Sequence, residues 1–166
     1  MRGLFVTFEG IDRSGKTTQA RLLCEALLFA AARAELVFEV IKPALEEGKI
    51  VVSDRFLDSS LAYQGGARGL GIEDVERVNR FATRALRPDV TFLLEIDPTE
   101  AAARAGERDR FEEEGATLQE AVMAAYQRLI ELEPGRWRRI DAARSPEEIH
   151  AEVLAEVEAA RSGATA

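Results

Sequence analysis

The sequence predicts an α/β fold, a three-layer sandwich with a central parallel sheet and helices on both faces. Short β-branched and aromatic runs alternate with longer Ala-, Leu- and Glu-rich stretches, which is the signature of parallel βαβ units. A glycine loop separates the first such run from the first long helix, and no internal repeat or low-complexity tract interrupts the alternation. Leu4-Phe5-Val6-Thr7-Phe8 reads as a buried strand. From Lys16 to Leu45 the pattern is helical, with Pro43 near its end. Ile50-Val51-Val52 reads as a second buried strand after the turn residue Gly48. A helix is expected to begin over Ser59 to Tyr63, and glycines 65, 66, 69 and 71 to mark a loop. Glu73 to Leu86 is expected to be helical, closed by Arg87-Pro88, and Val90 to Ile96 to form a third strand. Pro98 opens a helix to about Ala105, since a first turn tolerates proline. Leu118 to Leu132 is a further helix, Trp137 to Ile140 a short strand, Pro146 to Ala160 a terminal helix, and Ser162 to Ala166 a frayed tail.

One element is out of proportion. A helix over residues 16 to 45 would run roughly 45 Å at ~1.5 Å per residue, whereas a strand of ~6 residues spans only ~20 Å. Either it bends without a marker near Leu27-Leu28, or a stretch of chain is absent there.

Length and charge narrow the class. The 166 residues fit one domain with a real core, and 46% apolar against 31% charged residues excludes a disordered chain. The net charge of −8 argues against a nucleic-acid or anionic-membrane binder, which needs excess cation. No apolar run reaches ~18 residues and no signal-peptide pattern opens the chain, so a soluble cytoplasmic protein without membrane partners is expected. The single cysteine, Cys24, excludes an intramolecular disulfide and a multi-cysteine metal site.

Gly10-Ile11-Asp12-Arg13-Ser14-Gly15-Lys16-Thr17 matches G-x-x-x-x-G-K-[ST], between an expected strand and an expected helix. The glycines let backbone N–H groups turn inward around phosphates, and the following helix N-terminus adds partial positive charge. Lys16 can reach the β- and γ-phosphates, and the Thr17 hydroxyl can coordinate Mg²⁺. A glycine turn that binds nothing would explain neither the lysine nor the threonine. The fold thus becomes a P-loop NTPase sandwich, a nucleoside triphosphate its ligand. Arg13, a cation inside the loop, could neutralise charge developing on the γ-phosphoryl group.

Asp54 and Arg55 follow Ile50-Val51-Val52-Ser53, at the carboxyl end of an expected strand, where ligands bind in open α/β sheets. Asp54 could orient Mg²⁺ through water, and Arg55 could clamp an acceptor phosphate bidentately. A local Asp–Arg ion pair is the other reading. Glu107-Arg108-Asp109-Arg110-Phe111-Glu112 by itself reads as a solvated charged face, yet arginines beside Gly106 are what a phosphate-covering lid requires. His150 reads as a surface residue and Cys24 as a packed helix residue.

Taken together, these residues resemble the thymidylate kinase family, the ATP-dependent dTMP kinases, over nearly the whole chain. Phe8 to Gln19 is similar to the family's opening strand and phosphate loop, and Leu28-Phe29-Ala30-Ala31-Ala32-Arg33-Ala34 to its thymine-binding helix. Asp54-Arg55-Phe56-Leu57-Asp58-Ser59-Ser60-Leu61-Ala62-Tyr63-Gln64-Gly65 resembles its most diagnostic stretch, and Asp109-Arg110-Phe111-Glu112 the end of its lid. The resemblance implies one kinase domain over residues 1–166, with a lid at about 104–115, transferring the γ-phosphoryl group of ATP to dTMP with Mg²⁺ held by Thr17 and Asp54. It implies ATP binding by Gly10, Ile11, Asp12, Arg13, Ser14, Gly15, Lys16, Thr17 and Thr18, with Arg104 and Arg108 from the lid. Lys16, Arg13, Arg55 and Asp12 would be catalytic. Phe29 would stack on thymine and Arg33 donate to a carbonyl of the base. Ser60 and Gln64 would read its polar edge, Tyr63 would pack under the deoxyribose, Asp12 would accept from the 3′-hydroxyl, and Arg55 would hold the dTMP phosphate. Arg13 resembles the branch of the family that keeps its catalytic arginine in the loop.

Two departures stand out. Ala32 occupies the place where the family has an Asp before the arginine of its thymine-binding helix. Glu25-Ala26-Leu27 also runs straight into Leu28-Phe29, where relatives carry a second strand and an Arg-Glu-Pro-Gly-Gly-like loop; the absent segment is roughly 40 residues. The family is typically homodimeric, and the helices containing residues 33–42 and 73–86 could supply the face. A kinase for another nucleoside monophosphate and a catalytically impaired nucleotide-binding protein are the remaining alternatives.

Overall fold

A computed structural model describes residues 7–97, 100 and 115–163. The chain divides into two compact units, residues 1–86 and 87–166.

The first unit is helical. Helix α1 (Lys16–Leu36) continues through a π turn (Val37–Ile41) into α2 (Lys42–Glu46). Ala26, Ala30, Val37 and Ile41 form its buried stripe, at the four- and seven-residue spacing of one helix face. The two alanines carry no bulk beyond Cβ, so α1 lies close against its neighbours. The helix passes Leu27-Leu28 without interruption, which removes the expected bend there. Its irregularity lies ten residues later, where a π turn absorbs the extra residue.

Helix α3 (Leu57–Ser60) runs on through a second π turn (Leu61–Ala67), so Gly65 and Gly66 are helical and not part of the expected loop. Chain reversal occurs at Arg68 to Gly71, where Gly69 and Gly71 take positive φ. Gly65 is forced by proximity. A Cβ there would meet Ile72 Cα at 2.9 Å and the Gly71 carbonyl oxygen at 3.3 Å, both backbone atoms that cannot swing away. Gly65→Ala is therefore expected to lower stability by about 1–3 kcal/mol, read as a reduced urea midpoint; an unchanged midpoint would show that this turn yields.

Helix α4 (Ile72–Ala82) opens with Glu73 and Asp74, favourable at the positive end of the helix dipole. It ends four residues before the expected Leu86. The Thr83 hydroxyl donates to the Asn79 carbonyl at 2.9 Å, and Arg84 and Ala85 turn left-handed with φ of 52° and 61°. Both α1 and α3 pack on α4.

The expected strand at Ile50-Val51-Val52 does not form. The segment has no ladder, and Val52 is 89% exposed. A strand needs a paired neighbour to satisfy its backbone groups, and none exists for this triplet among the described residues. The first expected strand falls mostly outside the described residues; Thr7 and Phe8, which are described, carry no ladder.

The second unit holds the sheet. Strands β1 (Thr91–Glu95) and β2 (Trp137–Asp141) pair in parallel, with Thr91 opposite Trp137 and Glu95 opposite Asp141. Helix α5 (Gly115–Leu132) comes between them in sequence, and α6 (Pro146–Gly163) follows β2. Trp137 is buried, its ring edge-on to Tyr126 at 6.0 Å between centroids. Across the ladder Arg139 Nε donates to Glu95 Oε2 at 2.8 Å, and Gln127 Nε2 donates to Glu95 Oε1 at 2.9 Å. Helix α6 starts in a capping box. Ser145 Oγ donates to Glu148 Oε2 at 2.8 Å and the Ser145 amide to the same oxygen at 3.1 Å, which together hold the Glu148 carboxyl below its ordinary pKa, and the Glu148 amide donates back to Ser145 Oγ at 3.3 Å. The molecule is thus α/β, helix-rich with a small parallel sheet, which has two strands among the described residues. The helix expected from Pro98 to about Ala105 falls almost wholly outside the described residues.

Candidate active site

The glycine loop is built by backbone conformation. Gly10 has φ of 145°, Arg13 of 65° and Gly15 of 88°, and the Ser14 amide donates to the Ile11 carbonyl at 3.3 Å. A side chain at Gly10 would be strained by the φ of 145°, and its Cβ, 2.8 Å from Ser14 Oγ, would push that hydroxyl aside. Arg13 adopts a left-handed conformation that costs an L-residue roughly 1–2 kcal/mol, so the loop holds this cation in place against its intrinsic preference. Helix α1 begins at Lys16 with Gly15 as its N-cap, no side chain capping it and no acid in its first turn. Its leading amides are therefore not taken by a side-chain cap, the arrangement that suits an anion. Lys16 Nζ donates to the Gly10 carbonyl at 2.6 Å and the Ile11 carbonyl at 2.7 Å, which draws the ammonium across the loop. Asp12, Arg13, Thr17 and Thr18 are exposed.

Arg55 likewise holds a left-handed backbone, φ 65°, with Ser53 Oγ donating to its carbonyl at 2.8 Å. Its guanidinium lies over the Tyr63 ring, 5.2 Å from the centroid. Asp54 beside it is exposed.

A polar cluster joins α1 to α3 and α4. Arg33 donates to Ser60 Oγ at 2.9 Å, to the Phe56 carbonyl at 3.3 Å, and to Asn79 Oδ1, and it lies 5.6 Å from the Phe56 ring centroid. Burial pushes the Arg33 pKa below its ordinary value, opposed in part by the Asp58 carboxylate. Eight residues earlier on α1, Glu25 accepts from Gln64 Nε2 at 3.0 Å and pairs with Arg68. The helices therefore cross antiparallel, with residue 25 against 64 and 33 against 60. Phe29 stands one turn from each contact on the same flank of α1, 49% exposed.

The structure thus gathers Arg33, Ser60 and Gln64 around the turn of α1 that carries Phe29, and sets Arg55 on Tyr63. It does not bring Lys16 close to Phe29. Thirteen residues of one continuous helix separate them, a rise of about 20 Å. Arg104 and Arg108, with the rest of the lid at 104–114, lie outside the described residues. Asn79, Glu25, Asp58 and Arg68 were not singled out in the sequence. Asn79 had a signal: a polar residue in the apolar stripe of α4, four residues after the buried Val75.

Among the described residues no group of three or more His, Cys, Asp or Glu could hold a metal. Thr17 and Asp54 are both exposed oxygen donors of the kind Mg²⁺ takes, an ion that keeps several waters and is bound mainly through substrate phosphates.

Loop and helix together carry the phosphate-loop pattern of nucleotide-binding proteins, a glycine loop followed by a lysine at an uncapped helix N-terminus. Comparison with known proteins narrows the class. The chain matches the family described as Thymidylate kinase over residues 23–153, and it belongs to that family. The thymidylate kinase of Symbiobacterium thermophilum is 40% identical over 198 aligned positions, covering 93% of this chain and 92% of the relative. The thymidylate kinases of Pelotomaculum thermopropionicum (40%, 93% and 92%) and Lactobacillus helveticus (38%, 95% and 97%) are similarly close. The first alignment is longer than the chain itself, so at least 198 − 166 = 32 of its positions hold a residue of the relative and none of this chain.

Proposed function

We propose that this chain transfers the γ-phosphoryl group of ATP to dTMP, giving dTDP and ADP, as a P-loop kinase of the three-layer class with a lid at about 104–115. The observation that carries the reading is the polar cluster of Arg33, Ser60 and Gln64 flanking Phe29, in a chain of this family. An aromatic face with a charged donor and an amide beside it suits a pyrimidine base. Lys16 and the amides of residues 10–18 would hold the ATP phosphates, Mg²⁺ would sit at Thr17 and Asp54, and Asp12 would accept from the 3′-hydroxyl. Bound there, Mg²⁺ would neutralise charge on the transferring phosphoryl group. Arg55 would clamp the dTMP phosphate, with Tyr63 under the sugar, and Arg104 and Arg108 would cover ATP. Catalysis would be positioning and charge neutralisation.

The acidic net charge supports small-molecule partners in a cytoplasmic setting, without nucleic acid. Among the described residues no helix is long and apolar enough to cross a membrane. A homodimer is supported by exposed Leu36, Phe38 and Val40, and by Phe38 and Phe81 lining a groove of about 820 Å³ with Ala34 and Arg80.

The unbroken α1 favours a second reading, a nucleotide-binding protein impaired in catalysis, because it sets Lys16 and Phe29 about 20 Å apart along one axis. An ADP-release assay with dTMP, dUMP, dCMP and AMP as acceptors separates the readings. ADP release that depends on dTMP and is fastest with it is the expected result. ATP binding without dTMP-dependent ADP would establish the second reading, and faster turnover of AMP would overturn the choice of acceptor.

A further inference from the structure

We propose that Glu25 is a positioning residue that fixes the Gln64 amide, so that the cluster admits a pyrimidine carrying N3–H and a 4-oxo group and rejects a 4-amino pyrimidine. The proposal rests on the dTMP reading above and names what sets its base selectivity.

A glutamine is ambiguous by itself. Its NH₂ and its carbonyl are nearly the same shape, and a free amide can present either to a ligand. At Gln64 the choice is made by Glu25. An ionised carboxylate is acceptor-only, and Gln64 Nε2 donates to Glu25 Oε1 at 3.0 Å. Turning the amide over would set two oxygens against each other at a residue only 6% exposed. Arg68 pairs with the same Glu25 oxygen. The acceptor Oε1 is what Gln64 has left for a base.

Arg33, one turn beyond Phe29 on α1, is a donor that can never accept. A ring over Phe29 therefore meets a donor from Arg33 and an acceptor from Gln64. Thymine and uracil complement that pair with O4 and N3–H. Cytosine offers an amino group and a bare N3, opposing both. Glu25 can play this part because α1 is continuous: residues 25, 29 and 33 fall at four-residue spacing on one flank.

The test is the ratio of dissociation constants for dCMP and dTMP, measured by calorimetry on the full chain, which needs no turnover. The wild type is expected to prefer dTMP. Glu25→Gln keeps the shape but lets residue 25 either donate or accept, freeing the Gln64 amide to turn over, and the preference is expected to fall at least ~10-fold. In Glu25→Gln with Gln64→Glu the bond runs the other way, residue 64 is acceptor-only again, and the preference is expected to return. Thermal unfolding of each variant controls for folding. A packing role for Glu25 would weaken both ligands alike and would not be rescued by the swap. An unchanged ratio in Glu25→Gln, with wild-type preference intact, overturns the proposal alone. A wild type that does not bind dTMP overturns the dTMP reading and this proposal together.

Discussion

Replacing Arg13 by alanine is expected to lower kcat by about 10³-fold while leaving ATP affinity nearly unchanged, the loss found when an arginine serving phosphoryl transfer is removed. The expectation follows from where this cation sits and from how it is held. In the proposed reaction ATP binding would rely on the loop amides, the α1 terminus and Lys16, none of which needs the Arg13 side chain. What Arg13 would add is a planar charge beside the group being transferred, and a charge that acts chiefly on the transition state changes kcat and not ground-state binding. Its φ of 65° allows a sharper control. Glycine adopts that conformation without strain, so Arg13→Gly relaxes the backbone yet still removes the charge. Both variants are expected to lose activity alike; recovery in the glycine variant would mean that loop conformation, and not the guanidinium, is what matters. Arg13→Lys is expected to recover little, since an ammonium cannot reproduce a bidentate fork. Initial ADP-release rates at saturating dTMP, with ATP binding by calorimetry, decide the matter.

Local chemistry explains which parts of this molecule could be read from the chain. The loop and the start of α1 were legible because glycine, lysine and threonine at fixed spacing state a mechanism as well as a shape. Strand β1 was legible because its apolar run follows Arg87-Pro88, and β2 because Trp137 and Ile140 follow Pro134-Gly135. Ile50-Val51-Val52 looked equally like a strand, but pairing is a property of neighbours, and three apolar residues do not carry their own. The π turns at 37–41 and 61–67 have no marker, because they arise from how a long helix accommodates what packs on it. The Ser145-Pro146-Glu147-Glu148 capping box, by contrast, is written in the sequence and sits at the expected Pro146 start. The site divides the same way. Arg33, Ser60 and Gln64 come from a resemblance carried by contiguous motifs. Their partners Asn79 and Glu25 lie 46 and 39 residues away in sequence, at positions that only tertiary packing brings together.

Arg33→Ala is expected to damage the protein twice, and the two effects can be separated. Arg33 donates to Ser60 Oγ, to the Phe56 carbonyl and to Asn79 Oδ1. Asn79 is 1% exposed, and its own amide nitrogen is committed to the Val75 carbonyl at 2.8 Å. Truncating Arg33 leaves the Asn79 oxygen buried without its charged partner, at a cost of about 1–3 kcal/mol, read as a lower urea midpoint. The same change removes the donor proposed for the thymine carbonyl, and a lost charged hydrogen bond of that kind lowers kcat/KM for dTMP by roughly 10²-fold. Asn79→Ala separates the two, since it removes the buried oxygen while leaving the guanidinium. In the double variant the stability losses are expected to be less than additive by at least about 0.5 kcal/mol, because neither partner is then stranded, while the loss in kcat/KM persists. Additive stability losses would show that the Arg33–Asn79 bond contributes nothing to the fold. A single Arg33→Ala variant that kept its kcat/KM for dTMP would remove Arg33 from base recognition, and with it the donor half of the pair proposed to make Phe29 a thymine platform.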